Sequence, residues 1–177
     1  TPRYCDNFIN DYYDDEGWWA LAWIEASKLT GEKKYLDMAE IIFDDMTTGW
    51  SDACGGGIFW KKNPLHYKNS IANNLFSLTA IRLYKATQNP AYLDWFKKKV
   101  DWYTQTGMIN TDIYQIEDGT KDDCTPNRNA HYTYNQGVAI AVLAEMYLQT
   151  NDKSYLELAE KIADATITTQ LVTDEGI

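Results

Sequence analysis

The chain has 177 residues, a 45% apolar fraction and a formal net charge of −10. That length suffices for one domain burying roughly 70% of the surface its unfolded chain exposes, and the negative charge argues against nucleic acid as a partner. There is no apolar run long enough for a membrane-spanning helix and no basic amphipathic stretch suited to a membrane surface. Residues 1–20 do not read as a signal peptide, although such a segment can lie upstream.

Residues 16–29 are predicted to form the first helix, with a wide apolar face containing Trp18, Trp19, Leu21, Ala22 and Ile24, and Gly31 breaks it. A second helix is predicted over 33–47, where Tyr35, Leu36, Met38, Ala39, Ile42, Phe43 and Met46 recur at helical spacing. Residues 48–67 contain Gly55-Gly56-Gly57 and Pro64 and form a long loop, with Ile58-Phe59-Trp60 as a possible short strand. The third helix covers about 70–87, stopped by Asn89-Pro90, and the fourth about 91–105. Residues 106–131 are polar and read as a second long loop, of the kind that is usually functional in a compact domain. The fifth and sixth helices are placed near 136–149 and 153–170.

These helices repeat. Leu29-Thr30-Gly31-Glu32-Lys33-Lys34-Tyr35-Leu36-Asp37 is echoed in residues 86–94 and 149–157, and the equivalent tyrosines Tyr35, Tyr92 and Tyr155 are spaced 57 and 63 residues apart. Helical hairpins with short turns at one end and long loops at the other are the result. The long loops must then share a face with three tyrosine-led helix starts: Tyr13-Asp14-Asp15-Glu16-Gly17-Trp18-Trp19, Tyr67-Lys68-Asn69-Ser70-Ile71-Ala72-Asn73 and Tyr132-Thr133-Tyr134-Asn135-Gln136-Gly137. An open solenoid and a closed toroid both fit, and the glycine-rich loops and polar helix starts favour the toroid. The expected fold is all-α, a partial barrel of three hairpins within a single domain over 1–177. Three hairpins are too few to close a ring, so apolar edges are expected on the first and third.

The expected functional face carries a carboxylate pair, amides and many rings, the chain having 7 Trp, 13 Tyr and 5 Phe. Rings with polar tips suit half-buried or ligand-facing positions, although most of them should simply build a tyrosine-rich core. Asp14 and Asp15 can be an ordinary acidic helix start, one capping the backbone and both complementing the helix dipole. They can equally be a glycosidase pair, since retention needs two carboxyl groups about 5 Å apart, within reach of adjacent residues at a helix start. Glu16 reads as an ordinary helix-start charge, and a calcium site using Asp11 has poor ligand spacing. Cys5, Cys54 and Cys124 match no zinc pattern. Cys54 and Cys124 lie in the two long loops, as a disulfide or as two free thiols. His66 and His131 have no metal-ligand company, and Gly55–Gly57 lacks the lysine and helix of a phosphate loop. No metal or cofactor is expected.

The string Tyr13–Ala22 resembles the Asp-Asp motif of glycoside hydrolase family 76, the endo-α-1,6-mannanases and related fungal cell-wall transglycosidases. The resemblance continues in order through Gly49-Trp50, Cys54–Trp60, Tyr67–Asn73, Asp101-Trp102, Gly107–Asn110 and Tyr132–Gly137. It implies an (α/α)6 barrel and a retaining mechanism, with Asp14 as nucleophile and Asp15 as acid/base. Family members are longer at both ends, so the domain is expected to be incomplete here. On this reading Asp15 should occupy the less solvated position and Asp14 should accept hydrogen bonds. Expected substrate contacts are Asn69, Asn73, Tyr134, Asn135 and Gln136 for sugar hydroxyls, and Trp18, Trp60 and Tyr132 for stacking. Each asparagine has an alternative role as a cap. Trp19, Trp23 and Trp102 are expected in the core. The expected partner is α-mannan or a mannose oligosaccharide, and the expected location is secreted or at the cell surface. A transglycosidase and a non-catalytic carbohydrate-binding toroid remain as alternatives, and a helical scaffold for protein partners would instead need an apolar groove.

Overall fold

The computed structural model describes residues 8–62, 67–128 and 130–168, the side chains of Val100, Asp101 and Thr104 excepted. Cys5 and His66 lie outside these residues. Six main helices form three antiparallel hairpins: α1 (Tyr13–Thr30) with α2 (Lys33–Thr47), α3 (Ser70–Thr87) with α4 (Pro90–Gln105), and α5 (Thr133–Thr150) with α6 (Lys153–Thr168). No helix among the described residues is long and apolar enough to cross a membrane.

The short turns are built three times by the same local chemistry. Gly31, Gln88 and Asn151 each end a helix in the left-handed region and return their N–H groups to the carbonyls of Ser27, Tyr84 and Tyr147, capping the last turn. The preceding threonines Thr30, Thr87 and Thr150 accept the N–H of Glu32, Asn89 and Asp152. Tyr35, Tyr92 and Tyr155 then close the first turn of the next helix on the carbonyls of those three residues. The repeat seen in the sequence is thus a repeat of turn geometry.

Helices α1, α3 and α5 stand side by side, with α3 between the other two. Burial follows this order. From Ser70 to Ile81 every residue of α3 is buried, so that stretch has no solvent face to carry a polar stripe. Phe43, Phe76 and Tyr92 join α2, α3 and α4 in the main core, while Trp102, Met108, Ile116, Leu143 and Ile162 form a second cluster beneath α5 and α6. The outer helices of the row carry single exposed apolar side chains, Trp18 and Leu29 on α1 and Leu148 on α5.

Several expectations need correction. α1 and α5 begin three residues early, so Asp14, Asp15, Tyr134 and Asn135 lie inside the first helical turn. The three tyrosines are not equivalent: Tyr13 is buried within α1, Tyr67 precedes the Asn69 cap, and Tyr132 is itself the cap residue of α5. Ile58 makes only an isolated bridge to Trp50. The loop 106–131 contains a small hairpin, β1 (Ile109–Asn110) paired antiparallel with β2 (Gln115–Ile116). Trp19 is 46% exposed and packs on Phe8 and Trp23 at the surface, whereas Trp102 is buried as expected and donates its indole N–H to the Cys54 carbonyl.

Candidate active site

The long loops and the starts of α1, α3 and α5 meet at one end of the hairpins, as the connectivity predicts. Cys54 and Cys124 join the two loops through a disulfide, with Cα atoms 5.1 Å apart. Lys68 reinforces the first loop from below. Its ammonium is buried and donates to the carbonyls of Ser51, Ala53 and Gly56, so one side chain satisfies three backbone acceptors.

The segment 117–120 lies against 68–70. Ser70 N–H donates to the Asp118 carbonyl at 2.7 Å and Thr120 N–H to the Lys68 carbonyl at 2.9 Å, with the Ser70 hydroxyl on the Glu117 carbonyl at 2.6 Å. Gly119 permits this approach, because a Cβ there would fall 2.3 Å from the Tyr67 hydroxyl. The result is a cleft of about 310 Å³ lined by Asp14, Trp60, Tyr67, Asn69, Ile71, Asp118, Tyr132 and Tyr134. Tyr132 and Tyr134 stack with centroids 5.1 Å apart and stand about two-fifths exposed, a ring wall suited to the apolar face of a sugar.

Asp14, at the start of α1, lines the same cleft and is half-buried. Desolvation raises its carboxyl above the ordinary value; a hydrogen bond from the Trp60 side chain opposes the rise, and the nearby Asp15 charge adds to it. Its Oδ1 is buried without a hydrogen-bond partner among the described residues. Asp15 is exposed. The burial of the pair is therefore the reverse of the expectation: the first aspartate, not the second, occupies the less solvated place, in a cleft it shares with Trp60, Asp118 and Tyr134.

The other expected contacts divide. Asn69 caps α3, accepting the Ala72 N–H at 3.2 Å, and also lines the cleft. Trp18 lies one turn beyond Asp14, 46% exposed and outside the cleft lining. Asn73 and Gln136 are corrected to structural positions, both wholly buried. Asn73 accepts the Ile58 N–H at 2.8 Å and donates to the Ile58 and Asn69 carbonyls. Gln136 does the same for β2, accepting the Ile116 N–H at 2.8 Å and donating to its carbonyl at 3.2 Å. Asn135 is also buried, so its expected contact with substrate is replaced by a donation to Asp118 Oδ1 at 3.1 Å. An amide inside the first helical turn can face inward, and there it must find a hydrogen-bond partner, backbone for Asn73 and Gln136 and a carboxylate for Asn135.

Sequence reasoning missed Asp118. It accepts from Tyr67 at 2.5 Å on one oxygen and from Asn135 on the other, while facing the cleft. It was one acid among several in a polar loop, and only the loop's placement on the functional face hinted at it. Behind it, buried Glu117 accepts from Asn110 at 2.8 Å and lies 3.3 Å from His131 Nε2.

The model of Glycosyl hydrolase family 76 matches residues 3–177. The chain belongs to this family. Its similarity to the mannan endo-1,6-alpha-mannosidase DCW1 of Saccharomyces cerevisiae is 31% identity over 148 residues, 76% of this chain and 33% of that protein. Among solved structures, a Listeria innocua protein superposes with a TM-score of 0.87 at 35% identity, covering 96% of this chain and 49% of that one. An inactive variant of the alpha-1,6-mannanase from Salegentibacter sp. HEL1_6, with two adjacent aspartates changed to asparagine and in complex with alpha-1,6-mannotriose, has a TM-score of 0.85 at 28% identity over 93% of this chain and 49% of that one. The fold is the α/α toroid of the family 76 structures. This chain spans about a third of that curated relative and about half of those solved chains.

Proposed function

We propose that the cleft is the reacting centre of a retaining glycoside hydrolase that cleaves α-1,6-mannosidic linkages in mannan. The observation that carries this reading is the position of Asp14, a half-buried carboxylate on a tyrosine- and tryptophan-lined cleft, with Asp15 next to it at the exposed lip. The Salegentibacter alpha-1,6-mannanase is inactive when two adjacent aspartates are changed, which supports a role for an adjacent pair here.

Asp14 attacks the anomeric carbon and forms a glycosyl ester. Asp15 gives a proton to the departing glycosidic oxygen, then takes one from the water that hydrolyses the ester. Asp118, held by Tyr67 and Asn135, accepts from sugar hydroxyls, and Tyr132 and Tyr134 supply the stacking surface. The disulfide supports a secreted or cell-surface location, where such bonds persist.

The test is turnover of α-1,6-mannan by Asp14→Ala and Asp15→Ala. Asp14→Ala should lose turnover, and azide should restore part of it with inverted product. Asp15→Ala should spare substrates with good leaving groups. Full activity in both variants sinks the assignment. Product analysis with an added acceptor sugar separates hydrolysis from transglycosylation.

A further inference from the structure

Glu16 is not the ordinary helix-start charge its position suggests. Although it sits in the first turn of α1, its side chain is completely buried. Its Oε1 accepts the Asn10 N–H at 2.9 Å and the Lys62 ammonium at 2.7 Å, while Oε2 is buried without a hydrogen-bond partner among the described residues. Lys62 also pairs with Asp45 on α2 and lies 5.3 Å from the centre of the Tyr13 ring.

Lys62 closes a strap. Residues 60–62 run antiparallel to 11–13, with Tyr13 N–H on the Trp60 carbonyl at 3.0 Å and Lys62 N–H on the Asp11 carbonyl at 2.9 Å, and with a bridge between Tyr12 and Lys61. The strap carries Trp60, which lines the cleft together with Asp14 and lowers the pKa of that carboxyl against the effect of burial. Backbone bonds and the Lys61–Tyr12 and Lys62–Tyr13 contacts also join strap and helix start, and among the described residues the Glu16–Lys62 pair is the one ion pair there with a fully buried carboxylate.

We infer that Glu16 and Lys62 are positioning residues that lock the strap so that Trp60 is held beside Asp14 in the cleft lining; this rests on the glycosidase reading of the cleft. Stability alone does not account for the pair. Burial lifts the Glu16 carboxyl to about 7 against the pull of Lys62 and the Asn10 N–H, and Asp45 adds to the rise. A carboxyl raised on folding contributes stability that is full below its ordinary value of 4.5 and is lost as pH rises through about 7. The ionised form that holds Lys62 is therefore the less stable one. The groups facing Glu16 are Lys62 from the strap, Asp45 from α2 and Tyr13 from α1, with Asp14 and Asp15 beside it in sequence.

The full chain with ¹⁵N-labelled tryptophan tests this. The Trp60 indole signal, assigned by its loss in Trp60→Phe, should titrate near pH 7 in the wild type, and that titration should vanish in Glu16→Gln. With α-1,6-mannan, Glu16→Gln should lower kcat about tenfold to hundredfold with KM within about twofold, while Tm changes little because Lys62 keeps Asp45. Lys62→Met should displace the same indole signal, and it decides the matter together with the wild-type titration should Glu16→Gln fail to fold. An indole that still titrates near pH 7 in Glu16→Gln, or a wild-type kcat in that variant, overturns the lock. If the indole responds as described but the wild type cleaves no mannan, the lock stands and the hydrolase reading falls.

Discussion

Tyr67 donates its phenolic hydrogen to Asp118 Oδ2 at 2.5 Å, joining the segment that follows β2 to the segment that precedes α3. Asn127 donates in turn to the Tyr67 oxygen at 2.9 Å, and Asn135 holds the other oxygen of Asp118. A carboxylate fixed on both oxygens by separate elements is pre-organised to receive a hydroxyl group. Tyr67→Phe removes one support and should lower kcat/KM on mannan oligosaccharides by about tenfold. Asp118→Ala should cost about a hundredfold. Steady-state kinetics checks both, and wild-type values in both would remove Asp118 from the site.

Trp60→Phe addresses the ionisation of Asp14. Burial already lifts this carboxyl above its ordinary value of 3.8, and the Trp60 hydrogen bond is the largest influence opposing that rise. Without the indole donor the carboxyl rises further. A nucleophile must be ionised, so activity is lost as pH falls through this value. The acid limb of kcat/KM should therefore move to higher pH in Trp60→Phe. A pH–rate profile with an unmoved acid limb contradicts the contact.

Lys68→Met should unfold the first long loop locally and destabilise the whole. Three carbonyls, that of Gly56 buried and those of Ser51 and Ala53 partly so, lose their donor at once, and the replaced stem keeps its packing. The expected loss is about 2–4 kcal/mol, measured by urea unfolding. A change below about 0.5 kcal/mol would mean that water replaces the ammonium fully.

The disulfide closes the chain between residues 70 apart in sequence. Cys124→Ser should lower stability by at most about 4 kcal/mol on the loop-entropy account. The wild type should lose Tm in reductant and the variant should not. Equal sensitivity of the two to reductant would contradict a bridge between Cys54 and Cys124.

Much of the fold was legible because it depends on near neighbours. Helical periodicity and the thrice-repeated threonine, left-handed residue and tyrosine placed the hairpins and put the long loops on one face. The ends of α1 and α5 were misjudged because Tyr13 and Tyr132 are not helix-starting signals by type; the chain enters those helices through contacts with Trp60 and Gln136. The small hairpin β1–β2 escaped notice because two-residue strands have no periodicity to read, and Gln136 on a distant helix holds one of them in place.

The amino-acid sequence by itself determined the three helical hairpins, the common face of their long loops and the adjacent aspartates at its edge, since turn chemistry and helical spacing act within a few residues. Burial was decided by the tertiary structure. Asn73 and Gln136 point inward as clamps on Ile58 and Ile116, Glu16 lies beneath the strap, and Asp118 enters the cleft from a loop more than a hundred residues after Asp14. Whether a polar side chain caps a helix, braces a loop or meets a ligand depends on which distant segment covers it. That is set by packing across the whole core, where no local pattern records the partner.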